Sequence, residues 1–257
     1  MTITFLGTGT SHGVPMIGCE CATCTSADPH DTRLRPSIHV ALPDGTSILV
    51  DAGPDLRQQA LRMRLRQVDV ILFTHGHADH ILGLDETRRF TGVSGQAMPC
   101  YADAATIADI RRMFAYVFDP GTPRGGGLPE LELRQVLGPI VIGDHQVIPV
   151  PLMHGKRPIL GYRFGGFAYL TDCNAIPDES RPLLRDLDVV VLDALRHRPH
   201  PTHFSLSEAV EAARRIGARQ TYFTHMCHDL AHEETCASLP GGMALAYDGL
   251  VLTTSWT

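Results

Sequence analysis

The sequence predicts a layered, mixed α/β fold, and three observations carry that expectation. Short apolar runs rich in β-branched residues recur along the 257 residues, each closed by Gly, Asp or His. Segments with helical signals fall between them, so strands and helices intersperse rather than segregate. Hydrophobic residues make up 44% of the chain, enough at this length to bury most of the surface an unfolded chain exposes. In order, the runs Ile3–Gly7, Ser47–Gly53, Val68–His75, Val147–His154, Gly166–Asp172, Asp188–Ala194 and Thr221–His225 read as buried strands. Helices are expected at Pro54–Leu65, Asp103–Phe118 and Ser205–Ile216. Pro54 suits a first helical position. Ser205 with Glu208 three residues on forms a capping-box start, and Gly217 is a stop. Asp119–Glu130, with three consecutive glycines and three prolines, holds no regular element and reads as a surface loop. Layered α/β folds of this size are often one unit, so residues 1–257 are expected to form a single domain.

The net charge of −6 leaves no electrostatic footprint for nucleic acid and argues against it as a partner. No apolar run reaches the roughly 18–20 residues of a membrane span. The opening MTITFLGTGTSHG carries no charged segment before a long apolar one, so no secretory signal is expected. Seven cysteines are an odd number at low density, unlike a secreted disulfide scaffold. A cytoplasmic location follows as the expectation.

The strongest chemical signal is FTHGHADH, with His75, His77, Asp79 and His80 at the end of an apolar strand. Imidazoles at i and i+2 of an extended segment point the same way and can reach one cation. Asp79 and His80 can serve a second cation if a helix begins there. Such a ligand set suits zinc, manganese or iron. Further ligands are offered by His154, Asp172 and His225, which close three later strands. Near the N-terminus, GCECATC places Cys19, Cys21 and Cys24 within reach of one another. Three thiolates suggest a closed structural zinc lacking one ligand, for which His228, His30, His39 and Cys227 are the candidates.

THGHADH followed by His154, Asp172 in TD and His225 in TH, with LGTGTSHGVP and VDAG upstream, resembles the metallo-β-lactamase superfamily over essentially the whole chain. The resemblance implies a four-layer αββα sandwich with two metals at one sheet edge. It implies His75, His77 and His154 on one metal, and Asp79, His80 and His225 on the other. Asp172 would bridge them, and Asp51 would orient ligands from behind. The histidine at position 77, where flavo-diiron members carry Glu, points to the hydrolases.

The cysteine loop narrows the resemblance to a subgroup, the phosphoribosyl cyclic phosphodiesterases of bacterial phosphonate breakdown, which carry GCEC-x-x-C after GVP. In that subgroup the zinc is completed by a His three residues past the second-metal His, here His228 in THMCH, with Cys227 as the alternative. The zinc would pin the loop at about residues 10–36 as one wall of a small pocket. The implied activity is hydrolysis of a small cyclic phosphodiester such as phosphoribosyl 1,2-cyclic phosphate. Asp79, Asp172 and His203 would act at the reacting atoms, with His203 as a general acid, and His203 and Lys156, the chain's single lysine, would face the phosphate. His12 lies in a loop expected to approach the site. Cys173, beside Asp172, departs from the small polar residue usual there. A homodimer is a family-level expectation. The rival activities are tRNA 3′-end cleavage, which normally comes with a long basic arm that Asp119–Glu130 does not supply, and thioester or lactone hydrolysis.

Overall fold

The computed structural model describes residues 1–125 and 127–256; Gly126, within the expected surface loop, and Thr257 lie outside the described residues. Strands in chain order are β1 (Thr2–Gly7), β2 (Ser37–Ala41), β3 (Ser47–Val50), β4 (Val70–Leu72), β5 (Met98–Ala102), β6 (Leu131–Gln135) and β7 (Ile140–Ile142). They continue as β8 (His145–His154), β9 (Arg157–Phe164), β10 (Phe167–Leu170), β11 (Val189–Asp193), β12 (Gln220–Thr224), β13 (Met243–Leu245) and β14 (Val251–Thr253). The α-helices are α1 (Leu56–Arg62), α2 (Ala78–Ile81), α3 (Arg88–Ser94), α4 (Ala104–Met113), α5 (Ala115–Phe118), α6 (Leu206–Ile216) and α7 (His232–Ser238).

Two seven-stranded sheets result, ordered β14-β1-β2-β3-β4-β5-β6 and β13-β12-β11-β10-β9-β8-β7. The first is antiparallel from β14 to β3 and parallel from β3 to β6. The second repeats the plan, antiparallel from β7 to β10 and parallel from β10 to β13. The inner parallel strands β3, β4, β10 and β11 are buried on both faces, which is why they read as continuous apolar runs. In β11, Val189 and Val191 face the other sheet while Val190 and Leu192 face helices. One core joins the sheets through Phe5, Ile38, Val50, Leu72, Tyr162, Phe164 and Tyr169. Leu49, Ile71 and Phe73 pack on Leu56, Ile81 and Ile110 of the helical layer over the first sheet. Leu170, Leu192 and Phe223 pack on Leu206, Ala209 and Ala213 over the second. The layers are therefore αββα.

Two helix expectations are corrected. The first helix starts at Leu56 rather than Pro54, because the Asp55 carboxylate turns to the Arg35 backbone N–H at 2.8 Å and the Arg35 guanidinium at 3.0 Å instead of capping. The Asp103–Phe118 segment breaks into α4 and α5 at Phe114, whose backbone (φ −112°, ψ 39°) leaves the helical region and seats the ring in the core. Asp103 caps α4 through the Thr106 N–H. Helix α6 has the full capping box at Ser205 and a left-handed Gly217. Among the described residues no helix is long and apolar enough to cross a membrane.

Candidate metal centre

The ends of the parallel strands converge on one rim. Chain direction reverses sharply there, and three residues just past strand ends are left-handed: Asp51 (φ 63°), Asp172 (φ 58°) and His225 (φ 61°). Asp and His are among the residues that tolerate this region best, and such strain concentrates at functional sites. Close backbone approach is also required. A Cβ on Gly53 would sit 2.1 Å from the Asp79 carbonyl oxygen, and one on Gly76 would sit 2.6 Å from an Asp109 carboxylate oxygen.

Two donor groups at this rim share Asp172, and a third, Asp193, His203 and His225, adjoins them. Of the sharing pair, one takes an atom each from His75, His77, His154 and Asp172, the other from Asp79, His80, Asp172 and His225, and within each group the atoms lie within 4.8 Å of one another. Helix α2 begins directly after His77, so the extended segment presents His75 and His77 together, ring centroids 4.4 Å apart, and the first helical turn presents Asp79 and His80. Asp172 belongs to both groups. Its Oδ2 is 3.5 Å from His75 Nε2 and 3.3 Å from His80 Nε2, and its Oδ1 is 2.7 Å from His225 Nε2. Asp79 Oδ2 lies 3.4 Å from His80 Nε2 and 3.5 Å from His225 Nε2.

The surroundings set the tautomers. Asp51, fully buried, accepts the Thr74 N–H, the Thr74 hydroxyl and His80 Nδ1–H, each at 2.8 Å. With its hydroxyl proton committed to Asp51, Thr74 accepts His75 Nδ1–H at 3.0 Å. His154 Nδ1–H donates to the Thr202 carbonyl at 3.0 Å. Each ring thereby turns its Nε2 lone pair toward the cluster. His75 Nε2 and His80 Nε2 are buried with no hydrogen-bond partner, a costly state for polar atoms unless something completes them. Imidazoles fixed from behind by a carboxylate or carbonyl, around shared carboxylates, fit divalent cations.

Charge balance points the same way. Burial would lower His80, but the Asp172, Asp79 and Asp51 carboxylates outweigh it and hold the ring well above the usual imidazole range. His225 is likewise pushed up to about 10, burial being overcome by Asp172. Asp172 itself is held well below the carboxylate range, its burial outweighed by His225 and His80. His75, where burial and the neighbouring His80 act together, is pushed well down. The carboxylates thus demand positive charge at this spot.

One participant not singled out from the sequence is Asp193, at the end of β11. It is fully buried; its Oδ2 accepts His203 Nδ1–H at 3.1 Å and the Phe204 N–H at 3.2 Å. Its Oδ1 faces His225 Nδ1 at 3.6 Å, and neither atom has a hydrogen-bond partner. A single carboxylate therefore stands behind both His225 and His203, whose rings stack at 4.9 Å and 13°. His203 is also 4.7 Å from the His154 ring, and burial, with His225 beside it, pushes it down to about 4. Lys156 stands exposed in the turn between β8 and β9, two residues past His154. Cys173 is buried in the core of the second sheet.

The second centre is the cysteine loop. His228 Nδ1 lies 3.1, 3.3 and 3.5 Å from the Sγ atoms of Cys19, Cys21 and Cys24. Cys227 is not part of this group; its Sγ accepts the Asp229 N–H at 3.3 Å. His39 is 2.8 Å from the Ser47 hydroxyl, and His30 packs on His232 and Tyr247, so neither joins the thiols. The loop is tied down by Arg33, 1% exposed, which donates to the carbonyls of His30, Cys227 and Leu230 and pairs with Asp31 at 3.1 Å.

An αββα sandwich with two His/Asp donor groups sharing one aspartate on its rim is the architecture of a metal-dependent hydrolase. The model of the beta-lactamase superfamily domain matches residues 46–226, and the chain belongs to the metallo-β-lactamase superfamily. Within it the chain is PhnP-like: a diphosphatase of the PhnP family has 49% sequence identity and a TM-score of 0.91, covering 98% of this chain and 96% of that one. The zinc-bound PqqB of Methylobacterium extorquens shares the fold, with a TM-score of 0.82 at 18% identity over 99% of this chain and 100% of that one. An octanoyltransferase of Porphyromonas gingivalis is 37% identical over 256 residues, 97% of this chain but 51% of its own length. The chain thus spans about half of that protein. The fold implies divalent metals, for which the two His/Asp groups and the Cys₃His group are the donor sets.

Proposed function

We propose that the protein is a binuclear metal-dependent phosphodiesterase acting on a small, cyclic phosphodiester, of which phosphoribosyl 1,2-cyclic phosphate is the type. The observation that carries this reading is the sharing of Asp172 by two donor groups. His75, His77 and His154 would hold one cation, Asp79, His80 and His225 the other, and Asp172 would span both; Cys19, Cys21, Cys24 and His228 would hold a structural zinc. When bound, two divalent cations, zinc, manganese or iron, supply Lewis acidity and neutralise charge developing at phosphorus. The neighbour described as a diphosphatase supports phosphoryl chemistry over thioester or lactone hydrolysis. Both sheets contribute to the one rim, which supports treating residues 1–257 as a single domain.

The chain's own groups define the rest. Asp51, Thr74 and the Thr202 carbonyl fix the His80, His75 and His154 imidazoles. His203, held on Asp193 through Nδ1–H, keeps Nε2 for the substrate, where it would pass a proton to a leaving alkoxide. Purified, metal-loaded protein is expected to hydrolyse bis(p-nitrophenyl) phosphate and 2′,3′-cyclic nucleotides. Turnover of S-lactoylglutathione with none of any phosphodiester would sink the reading; preference for pre-tRNA would favour the tRNA-processing alternative. His203→Ala is expected to slow diesters with poor leaving groups by about 10²–10⁴-fold and bis(p-nitrophenyl) phosphate far less. Equal effects on both would remove the acid role. His228→Ala is expected to lower metal content from about three to about two equivalents per chain, with the catalytic pair retained. Retention of all three would assign the fourth ligand elsewhere.

A further inference from the structure

Helix α4 meets the rim at the carboxylate of Asp109. Its Oδ2 accepts from Arg157 Nη2 at 2.9 Å, and its Oδ1 accepts from Arg112 Nη2 at 2.7 Å. Arg112 is an i+3 neighbour on the same helix with its side chain 72% exposed, so that pair contributes little. Arg157 differs, because it opens β9 and stands opposite His154 in the β8–β9 ladder. The same carboxylate fills the space beside Gly76, where a Cβ would sit 2.6 Å from Oδ2 and 2.9 Å from the Asp109 Cβ. Asp109 therefore bridges the two segments that deliver the first donor group, one carrying His75 and His77, the other His154.

We propose that Asp109 and Arg157 are a positioning pair for the cation held by His75, His77 and His154, setting its affinity while leaving the second rim cation alone. The inference rests on the binuclear reading and adds to it which outlying residues tune one of the two halves. His77 is the reason the pair matters. The rings of His75, His80 and His154 are each fixed by a hydrogen bond at Nδ1, and that of His225 faces Asp193. Among the described residues the His77 ring has no hydrogen bond or ion pair, and it meets the rings of His75 at 4.4 Å and His154 at 5.0 Å. A ring without a polar anchor is aimed by its backbone, and the backbone before it is Gly76, seated on Asp109. His75 has a further tie, the Leu160 N–H donating to the Thr74 carbonyl at 3.0 Å, so His77 depends most on the bridge. The second donor group hangs on other supports. Asp51 holds the His80 ring at 2.8 Å, and the Ala52 N–H donates to the His80 carbonyl at 2.7 Å. Loss of the bridge should therefore loosen one half of the centre and spare the other.

The test is zinc affinity, read by competition with a chelator, in wild type, Asp109→Asn, Arg157→Gln and the double variant. One rim cation is expected to bind about 10–100-fold more weakly in each single variant, the range for losing an outer partner of a ligand. The other rim cation and the Cys₃His zinc should keep their wild-type affinity. The double variant should be no weaker than the worse single one, because the two residues act as one unit. In a His77→Ala background, which removes the first cation, neither substitution should change the affinity of the rim cation that remains. Equal weakening of all sites would mark a merely structural contact, and unchanged affinities would mark none; either result overturns the pair. A second readout does not depend on affinity. At saturating zinc, amide hydrogen exchange in Arg157→Gln should quicken at residues 74–78 and 154–158 while residues 220–226 keep the wild-type rate. Unchanged exchange in the first two segments overturns the bridge. A wild-type chain that binds a single rim cation would instead overturn the binuclear reading, and the exchange result would still decide the bridge.

Discussion

Asp172→Asn is expected to lower turnover of any phosphodiester by at least about 10³-fold, well beyond the 10–100-fold cost of losing an outer-shell partner of a ligand. The carboxylate lies 2.7–3.5 Å from Nε2 of His75, His80 and His225. Removing its charge leaves both donor groups short of a member and weakens the negative field that favours positive charge beside His80 and His225. Asn is the informative replacement because residue 172 is left-handed at φ 58°; Asn adopts that region readily, whereas Ala would add backbone strain. The variant should still fold, as circular dichroism would show, while activity and metal content fall together. A variant with wild-type turnover would remove Asp172 from the centre.

Arg33→Met is expected to have the largest effect on stability. The guanidinium is buried and satisfies three carbonyls, those of His30, Cys227 and Leu230, besides pairing with Asp31. Met matches its length but leaves Asp31 as a buried charge without its cation, a loss of about 3–5 kcal/mol. At roughly 2–4 °C per kcal/mol for a chain of this size, the melting temperature should drop on the order of 10 °C. Because two of those carbonyls flank His228, the Cys₃His metal should also become easier to strip with a chelator. A melting temperature within 2 °C or so of wild type would show that the loop is held by other contacts.

Much of the rim is legible in the sequence because it is written in residue types that strands and turns seldom need there. His75, His77, Asp79 and His80 lie where an apolar run ends, and the structure brings them together with His154, Asp172 and His225. His228 is brought to the thiols while His30, His39 and Cys227 are not, a choice made by backbone path that spacing alone leaves open. Asp193 escaped notice because a single acid after an apolar strand is ordinary; only the approach of His203 and His225 from elsewhere distinguishes it. Strand β9 is illegible for a different reason. Its Pro158 and Gly161 look like breakers, yet Gly161 is demanded by the crossing of Leu152 and Leu170, whose side chains a Cβ would meet at 2.9 and 2.7 Å. The Phe114 break likewise follows from a ring seeking the core rather than from a local signal.

The Cys₃His group joins positions 19–24 to position 228, a separation of up to 209 positions. While the protein is being synthesised, the three thiols emerge early and wait without their partner until the residues that carry the rim have all been made. Closing so long a loop in an unordered chain would carry a large cost in chain entropy. The same separation makes the site a late step in assembly: it can close only on a chain whose strands have already brought both ends to one rim.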